Sequence, residues 1–460
     1  MTNLTIHSSE RTLFGTDGIR GIANTWPMDS QAALMAGKAI AAWFKQDQRR
    51  HKIVIGKDTR LSGYMIETAL ASGLVAMGVD VYLVGPLPTP GIAFITSGMR
   101  ADAGVMISAS HNSYEYNGVK IFDRSGFKLD DAAEYQIEQY MKQADSLEKY
   151  LACPQKLGKA YRIDDAVGRY VVYLKSSFPR ALTLDGLRIV VDCANGATYK
   201  VAPEVFSELG ADVHPVGVSP NGMNINLGVG STDTALAQRR VQEIGADLGI
   251  ALDGDGDRLI LIDENGKIVD GDAVLAFVGR HLLEHGKLTN NTVVATVTSN
   301  LGLDFAIQSS GGTVERTDVG DRYVAQRMRE VGSNFGGESS GHLIFMDEST
   351  TGDGTLAALQ ILQVMQESGK PLSTLASLME PIPQITKNLS IIRKIPFSEM
   401  PEISNLTKKI EQKLKGRGRV LLRYSGTEDL IRILLEGEDK TQLQVYADEL
   451  TDILQRMLGE

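Results

Sequence analysis

The residues best suited to bind a metal ion lie in one short acidic segment, residues 253–258. Asp253, Asp255 and Asp257 alternate there with glycines, and Arg258 follows. Three carboxylates at alternate positions can converge on one hard cation where glycine lets the backbone curl. Because their mutual repulsion is costly without a cation, we expect a divalent ion. An incomplete ligand set suits Mg²⁺ shared with a phosphoryl oxygen.

Two other interpretations of this segment stay open. The first is a calcium-binding loop, because the three Asp residues and Glu264 stand at positions 1, 3, 5 and 12 of that motif. The sixth position of the motif requires Gly and is Arg258 here. The apolar residues 259–262 also predict a strand where the motif requires a helix. The second interpretation is a solvated acidic turn that binds no ion.

A serine that could carry a phosphoryl group lies in the segment 107–112, at the end of a strand predicted to start at Ala103. Small hydroxyl residues at the carboxyl end of a strand lie where open α/β sheets bind ligands. Ser110 could therefore be a nucleophile or a phosphate carrier, and a helix N-cap or turn serine is the structural alternative. Lys120, ten residues later, adds a cation that could act as acid or base if burial or neighbours lower its pKa.

Two further polar loops follow. The glycine-rich segment 336–342 offers the Glu338 carboxylate and the Ser340 hydroxyl to sugar hydroxyls, together with the His342 imidazole, which titrates near neutrality. A phosphate cradle outside the Walker type is predicted near the C-terminus, since a Ser-Gly-Thr turn presents backbone N–H groups and arginines add forked donors. Its members are Arg423, Ser425, Gly426, Thr427 and Arg432. A structural histidine and an ordinary surface turn are the alternatives.

The N-terminal part of the chain has two polar segments, residues 14–21 and 57–60. Either could be ordinary turn chemistry. The first contains Arg20, which is a candidate phosphate ligand.

The elements that must position these residues follow a β-α-β rhythm. Residues 52–108 alternate short apolar runs with a helical pattern at 62–78. The rhythm recurs at 188–252 and again from Asp272 to Val331. A mostly parallel sheet with helices on both faces is the expected result. The stretch after the proline-containing segment 381–383, a candidate linker, instead predicts an α+β layer.

The composition excludes several classes of protein. The 460 residues include 47 Lys+Arg and 57 Asp+Glu, a formal charge of −10, which disfavours broad nucleic-acid binding. The two cysteines, Cys153 and Cys193, make no disulfide framework and suit a reducing compartment. We see no secretory signal pattern and no run of the roughly 20 apolar residues that a membrane span requires. We therefore expect a cytoplasmic protein without nucleic-acid or membrane partners.

The order of these motifs resembles that of the α-D-phosphohexomutase superfamily over essentially the whole chain. That family has a phosphoserine loop, an Asp-Gly-Asp-Gly-Asp-Arg metal loop, a Gly-Glu-x-Ser-Gly-His sugar loop and an Arg-x-Ser-Gly-Thr-Glu phosphate loop. Here they stand at Ser110, 253–258, 337–342 and 423–428. The segments most similar to the amino-sugar mutases of the family are 14–21, 220–226, 230–232 and 319–324.

The resemblance implies an α/β protein with four domains around a central cleft. Three similar α/β domains with mixed sheets are expected, followed by a C-terminal α+β domain. The expected domains are a phosphoserine domain 1–165, a metal-loop domain 166–264, a sugar-loop domain 265–383 and a phosphate-binding domain 384–460.

The resemblance also implies roles for the site residues. Ser110 would be the phosphorylated catalytic residue, and Glu338 and Ser340 would hold the sugar. The expected ligands of one Mg²⁺ per chain are Ser110, Asp253, Asp255 and Asp257. The other expected catalytic residues, with the first two as acid or base, are Lys120, His342, Arg20 and Arg258. The phosphate that does not react would be held by Arg423, Ser425, Gly426, Thr427 and Arg432.

The implied activity is the reversible conversion of glucosamine 6-phosphate to glucosamine 1-phosphate. It would use a phosphoserine enzyme and a hexosamine 1,6-bisphosphate that serves as intermediate and primer, and would feed synthesis of peptidoglycan precursors in a bacterium. Phosphoglucomutase or phosphomannomutase activity is the nearest alternative. A sugar-phosphate phosphohydrolase and a non-catalytic sugar-phosphate-binding protein are more distant ones. A homodimer is a further expectation.

Overall fold

The computed structural model describes residues 12–15, 17–47, 49–414, 416–425 and 429–459. The elements of the first unit are β1 (Phe14–Gly15), β2 (Gly18–Ile22), α1 (Ser30–Phe44), β3 (Lys52–Lys57), α2 (Ser62–Ala76), β4 (Asp80–Pro86), α3 (Thr89–Gly98), β5 (Ala103–Ile107), β6 (Tyr116–Asp123), α4 (Asp131–Lys142) and β7 (Ala160–Arg162). Its strands form one seven-stranded sheet in the order β1-β2-β6-β5-β3-β4-β7.

The second unit is built around a five-stranded sheet. Its elements are α5 (Ala166–Ser176), β8 (Arg188–Asp192), α6 (Val201–Glu208), β9 (Asp212–Val216), α7 (Ala235–Ile244), β10 (Leu248–Leu252), β11 (Leu259–Ile262) and β12 (Ile268–Val269). The strand order is β12-β11-β10-β8-β9. Helix α5 packs against both α3 and α6, and so joins the first two units.

The third unit has a four-stranded sheet. Its elements are α8 (Gly271–Glu284), β13 (Thr292–Thr296), α9 (Leu301–Gln308), β14 (Thr313–Thr317), α10 (Asp321–Val331), β15 (Phe335–Gly337), β16 (Leu343–Phe345), α11 (Gly354–Ser368) and α12 (Leu372–Ala376). The strand order is β14-β13-β15-β16.

The fourth unit is a small α+β layer. Its elements are β17 (Gln384–Ser390), α13 (Pro401–Leu414), β18 (Arg419–Tyr424), β19 (Leu430–Glu436) and α14 (Lys440–Leu458). The three strands are antiparallel, in the order β17-β19-β18. The architecture of three α/β units and a final α+β unit confirms the expected fold class, while the boundaries at 165, 264 and 383 stay predictions. In the described part of the chain, no helix has the length and apolar character that crossing a bilayer requires.

The first three sheets mix parallel and antiparallel pairs, as the resemblance implied, and correct the expectation of mostly parallel sheets. Strands β3, β4 and β5 are parallel neighbours, but β5 pairs antiparallel with β6. The same switch occurs from β10 to β11 and from β15 to β16. Connections of this length are too short for the crossover that parallel strands need, so the chain must turn back beside itself.

The four motifs that carry the family resemblance lie in hairpin loops between antiparallel strands. Ser110 lies between β5 and β6, and the acidic segment lies between β10 and β11. The segment from Glu338 to His342 lies between β15 and β16, and Ser425 follows β18 before the chain returns in β19. Backbone hydrogen bonds attach the acidic segment and the strand after it to both neighbouring units. The Thr89 N–H at the start of α3 donates to the Asp255 carbonyl (2.9 Å), and the Leu259 N–H donates to the Gly341 carbonyl of the third unit (3.1 Å).

The predicted linker at 381–383 is neither helix nor strand, and side chains fix it to the third unit. Asn300 Oδ1 accepts from the Ile382 N–H (2.9 Å), and Asn300 Nδ2 donates to the Ile382 carbonyl (3.0 Å). The buried Glu436 accepts from the Leu301 N–H (3.3 Å) and from Arg419 Nε (2.5 Å). The third and fourth units are therefore joined at the Arg419 end of β18.

Helices α1 and α2 pack so closely that glycine is required at their contact. A Cβ atom at Gly73 would lie 2.3 Å from the Leu34 carbonyl oxygen, and one at Gly37 would lie 2.3 Å from the Leu70 carbonyl oxygen. Backbone cannot move as easily as a flexible side chain, so a larger residue at either position forces the two helices apart.

Replacing Gly73 by Ala should lower the free energy of unfolding of the first unit by about 1–3 kcal/mol, the usual cost of overpacking. Gly168 in α5 is the matched control, because its added Cβ would have no atom within 4 Å and its φ is not positive. Gly168→Ala should therefore be neutral or stabilise the protein by about 0.4–1 kcal/mol. Urea denaturation followed by circular dichroism measures both, and equal midpoints for the two variants would contradict the close packing.

Candidate active site

Ser110 is almost completely buried in the loop between β5 and β6. Its backbone has a φ of 51°, in the left-handed region that residues other than glycine seldom adopt. The Ser110 N–H donates to Ser108 Oγ (2.9 Å), and the Ser110 hydroxyl donates to Asp253 Oδ2 (2.5 Å). The hydroxyl of the first unit thus contacts the first acid of the second unit's loop.

The three Asp residues of the second unit form a compact buried cluster. One carboxylate oxygen from each of Asp253, Asp255 and Asp257 lies within 4.8 Å of the other two. Burial and the charges of Asp257 and Asp255 raise the pKa of Asp253 well above its usual range. Among the described residues, neither Asp255 Oδ1 nor Asp257 Oδ1 has a hydrogen-bond donor. Buried carboxylate oxygens without donors are what a hard divalent cation satisfies, so this donor set fits Mg²⁺.

The calcium-loop interpretation does not fit the structure. Residues 259–262 form β11 and not a helix. Glu264, the expected twelfth ligand, accepts a hydrogen bond from the Ser373 hydroxyl of α12. Glu264 therefore makes a structural contact between the second and third units.

Lys120 brings a buried cation from β6 to this cluster. Its Nζ lies 2.9 Å from Asp255 Oδ2, 3.2 Å from Asp257 Oδ2 and 3.0 Å from Asp17 Oδ2. Burial disfavours the ammonium, but the charges of Asp17, Asp255 and Asp257 outweigh it and raise the pKa of Lys120 well above its usual range. A role as base requires a lowered pKa, and these neighbours have the opposite effect. Lys120 is therefore a cation at neutral pH.

His342 extends the charged cluster into the third unit. Its Nδ1 lies 3.8 Å from Asp257 Oδ2, and its Nε2 lies 3.5 Å from Asp321 Oδ2 and accepts from the Gly352 N–H (3.0 Å). Burial disfavours the imidazolium, but the carboxylates of Asp321 and Asp257 raise the pKa of His342. The ring is therefore held in a fixed orientation between two acids.

Arg20 and Arg258 add positive charge from two units. Arg20 pairs with Asp17 and donates to Asn112 Oδ1 (3.2 Å). Arg258 Nε lies 3.9 Å from Asp257 Oδ1. The charge of Arg258 acts on Arg20, so the two guanidiniums share one region. Two guanidiniums in one region favour the binding of an anion there.

The sugar-loop candidates lie beside each other. Glu338 is buried, and its Oε1 accepts from the Gly320 N–H (3.1 Å). Ser340 Oγ lies 3.5 Å from Glu338 Oε2. A carboxylate and a hydroxyl at this separation can serve neighbouring hydroxyls of one sugar ring.

The phosphate-cradle candidates belong to β18 and β19. Arg423 and Arg432 stand directly opposite each other in this antiparallel pair. Burial and the charge of Arg432 lower the pKa of Arg423, while the carboxylates of Asp318 and Glu338 act in the opposite direction. Like charges directly opposite each other destabilise a sheet, and an anion relieves them. Ser425 is buried at the end of β18. Gly426 and Thr427 lie outside the described residues.

Several residues of the site were missed in the sequence. Lys128 pairs with both Asp17 and Asp321, and so joins the first unit to the third. Asp17 and Asp321 lie inside the segments 14–21 and 319–324. In the first segment only Arg20 was proposed to have a role, and the second segment was noted only as similar to a family. Nothing in the sequence around Lys128 indicated that it belongs to the site. The structure therefore brings together Ser110, the three acids, Lys120, Arg20, Arg258 and His342, with Asp17, Lys128 and Asp321 as neighbours that were not anticipated.

Family models match nearly the whole chain. The phosphoglucomutase/phosphomannomutase models for α/β/α domains I, II and III match residues 11–148, 168–266 and 270–382. The model for the C-terminal domain of the same family matches residues 378–453.

Individual proteins agree with these models. The chain is 56% identical to phosphoglucosamine mutase of Geobacter metallireducens, over 98% of this chain and 99% of that protein. It is 54% identical to phosphoglucosamine mutase of Myxococcus xanthus, over 98% of both.

Solved structures show the same fold. A phosphoglucomutase/phosphomannomutase family protein of Burkholderia thailandensis superposes with a TM-score of 0.80 at 23% identity, over 98% of both chains. N-acetylphosphoglucosamine mutase of Aspergillus fumigatus, in complex with GlcNAc-6P and magnesium, superposes with a TM-score of 0.67 at 16% identity, over 98% of this chain and 96% of that chain. The chain therefore belongs to the phosphohexomutase superfamily and, within it, to the phosphoglucosamine mutase family.

Proposed function

We propose that the protein interconverts glucosamine 6-phosphate and glucosamine 1-phosphate. The observation that carries the proposal is the buried contact between the Ser110 hydroxyl and the Asp253 carboxylate, within a cluster of acids whose donor set fits Mg²⁺. A phosphoryl carrier beside a metal site is what phosphate exchange between two sugar positions requires. The relatives of 54–56% identity named phosphoglucosamine mutase support the amino sugar as substrate.

Asp253, Asp255 and Asp257, together with a phosphoryl oxygen on Ser110, would hold the Mg²⁺. When bound, the ion supplies positive charge that offsets the charge on the transferring phosphoryl group. Arg20 and Arg258 add fixed positive charge to the same region.

Ser110 carries the phosphoryl group of the resting enzyme. The free hydroxyl of the bound sugar monophosphate forms a bond to phosphorus as the bond to Ser110 Oγ breaks, which gives the 1,6-bisphosphate. The sugar then reverses its orientation, and Ser110 Oγ takes the phosphoryl group from the other position. Each transfer moves one proton from the accepting oxygen to the leaving oxygen.

Lys120 and His342 are the proposed acid and base residues. The carboxylates around Lys120 raise its pKa and keep it protonated, so of the two roles it is the proposed acid, and its ammonium also stabilises negative charge on a leaving oxygen. His342 lies between Asp257 and Asp321, which orient its ring towards the same cluster. Because Ser110 is almost completely buried, bulk water has little access to its phosphoryl group.

Glu338 and Ser340 are proposed to hold sugar hydroxyls in both orientations. The phosphate that does not react would lie between Arg423 and Arg432, with Ser425, Gly426 and Thr427 supplying further donors. If these residues bind the phosphate in either orientation of the sugar, one set of catalytic residues can act on both ends of the sugar.

The alternatives differ in substrate or in the phosphoryl acceptor. A phosphoglucomutase or phosphomannomutase would prefer glucose or mannose phosphates, and a phosphohydrolase would transfer the phosphoryl group to water. The cytoplasmic location, the homodimer and the link to peptidoglycan precursors stay predictions.

The wild-type protein, primed with a hexose 1,6-bisphosphate, should convert glucosamine 6-phosphate faster than glucose or mannose 6-phosphate in a coupled assay. Ser110→Ala should abolish this turnover and leave the melting temperature unchanged, because the phosphoryl carrier is lost and the fold is not. Ser176→Ala, on the exposed face of α5, is the control. Near-normal turnover by Ser110→Ala would remove Ser110 as carrier, and release of inorganic phosphate would favour the phosphohydrolase.

Asp255→Asn should weaken Mg²⁺ binding and turnover. The loss should exceed the roughly 10- to 100-fold that removal of an outer-shell partner costs, because a direct ligand is removed. Titration of turnover with Mg²⁺, and of the protein with Mn²⁺ followed by paramagnetic resonance, measures the effect. Asp233→Asn, at an exposed position, should change neither. An unchanged metal affinity in Asp255→Asn would show that the acids do not bind the ion.

Arg423→Ala should raise KM more than it lowers kcat, because the lost contact is to the phosphate that does not react. The expected loss is about 1.5–3 kcal/mol of binding, the range for hydrogen bonds to charged groups. Arg417→Ala is the matched control, since Arg417 is 72% exposed and pairs with Glu438 on the outside of the same unit. An unchanged KM in Arg423→Ala would count against the phosphate cradle.

A further inference from the structure

Two carbonyl oxygens of the Ser110 loop each accept hydrogen bonds from side chains of two different units. Arg60 Nη2 donates to the carbonyls of Ser110 and Asn112, at 2.9 Å each. Asn226 Nδ2 donates to the same two carbonyls, also at 2.9 Å each. Arg60 belongs to the first unit and Asn226 to the second, so the shape of the loop depends on how these units meet.

Arg60 is part of a fixed frame inside the first unit. It is fully buried, and its Nε donates to Asp58 Oδ2 (2.7 Å). The same carboxylate oxygen accepts from Ser108 Oγ (2.6 Å), which in turn accepts from the Ser110 N–H. Removing Arg60 would leave buried groups of this frame without partners, so its loss is expected to affect folding as well as the loop.

Asn226 comes from the surface of the second unit, in the connection between β9 and α7. Its φ of 58° is in the left-handed region that Asn tolerates better than most residues. Its backbone N–H donates to the Ala194 carbonyl (2.8 Å), just beyond the end of β8. The same connection meets the first unit again where the Leu61 N–H donates to the Gly222 carbonyl (2.9 Å). Asn226 is therefore held in place independently of the Ser110 loop.

The acidic loop packs against this same hydrogen-bonded group. A Cβ at Gly254 would lie 2.6 Å from the Ser110 carbonyl oxygen and 2.8 Å from Asn226 Nδ2. The Ser110 carbonyl is thus enclosed by Arg60, Asn226 and Gly254. Ser110 itself has an unfavourable positive φ, which persists only where surrounding contacts hold it. Hydrogen bonds therefore hold the backbone on both sides of the Ser110 side chain, whose hydroxyl donates to Asp253.

We infer that Asn226 is a positioning residue for phosphoryl transfer. Its amide holds the Ser110 and Asn112 carbonyls, keeps Ser110 in the left-handed conformation and directs Ser110 Oγ at Asp253. Because Asn226 belongs to the second unit, the carrier serine is aligned only when that unit is seated against the first. This inference rests on the proposed function for the role of Ser110 as carrier.

The test compares two asparagines of one connection. Asn226→Gly removes the amide and leaves the backbone free to adopt the same φ. Asn224→Ala is the matched control, because Asn224 Nδ2 donates to the Ser219 carbonyl (3.1 Å) within its own connection. For Asn226→Gly we expect kcat to fall by roughly 10- to 100-fold, the effect of a displacement of about 1 Å. The KM for glucosamine 6-phosphate and the melting temperature should remain those of the wild type, and Asn224→Ala should keep the wild-type kcat.

Hydrogen–deuterium exchange supplies a readout that does not depend on turnover. The amides of residues 108–113 should exchange faster in Asn226→Gly than in the wild type or in Asn224→Ala. An unchanged kcat, a loss expressed in KM alone, a lowered melting temperature or unchanged exchange in this loop would each overturn the inference. If the wild type converts no hexose phosphate, the proposed function fails, and the exchange measurement still decides whether Asn226 holds the loop.

Discussion

Repulsion among three buried carboxylates is the constraint on which the rest of the site depends. Asp253, Asp255 and Asp257 lie within 4.8 Å of one another, inside a protein whose overall charge is also negative. Such a cluster is stable only where cations and donors are brought to it. The second unit supplies Arg258, but the Lys120 ammonium comes from the first unit and the His342 ring from the third. The charges of the three acids are therefore fully compensated only when the three units are docked against one another.

A second set of charges extends this dependence. Lys128 pairs with Asp17 of its own unit and with Asp321 of the third unit, which also faces His342. Arg322 pairs with Glu134 across the same boundary (2.9 Å). Buried pairs of this kind add little net stability, but loss of one partner leaves the other charge uncompensated. They make the relative placement of the first and third units specific.

The sequence was most informative where chemistry is concentrated in a few adjacent residues. The acidic segment, the segment ending at His342 and the segment beginning at Arg423 could be recognised because each has an unusual composition. That all of them are hairpin loops between antiparallel strands was not apparent. Strand β6 contains the polar residues Asn117 and Lys120, which interrupt its apolar pattern although both are buried. Strands β15 and β16 have three residues each, too few to show a period. Asn226 and Lys128 gain their importance only from units that meet in space, which no local pattern encodes.

The joint between the third and fourth units has a mechanical consequence. Asn300 is hydrogen-bonded to the backbone of Ile382, and Glu436 accepts hydrogen bonds from both Leu301 and Arg419. This end of β18 is therefore the fixed point about which the fourth unit can rotate. Arg423 stands four residues further along the strand, a lever arm of about 13 Å at the usual rise of a β-strand. A swing of about 10° around that fixed point carries the guanidinium through about 2 Å, from good hydrogen-bond distance to none. Under the proposed function, a small angular adjustment of the fourth unit would therefore be enough to break and remake the contact between Arg423 and the phosphate that does not react.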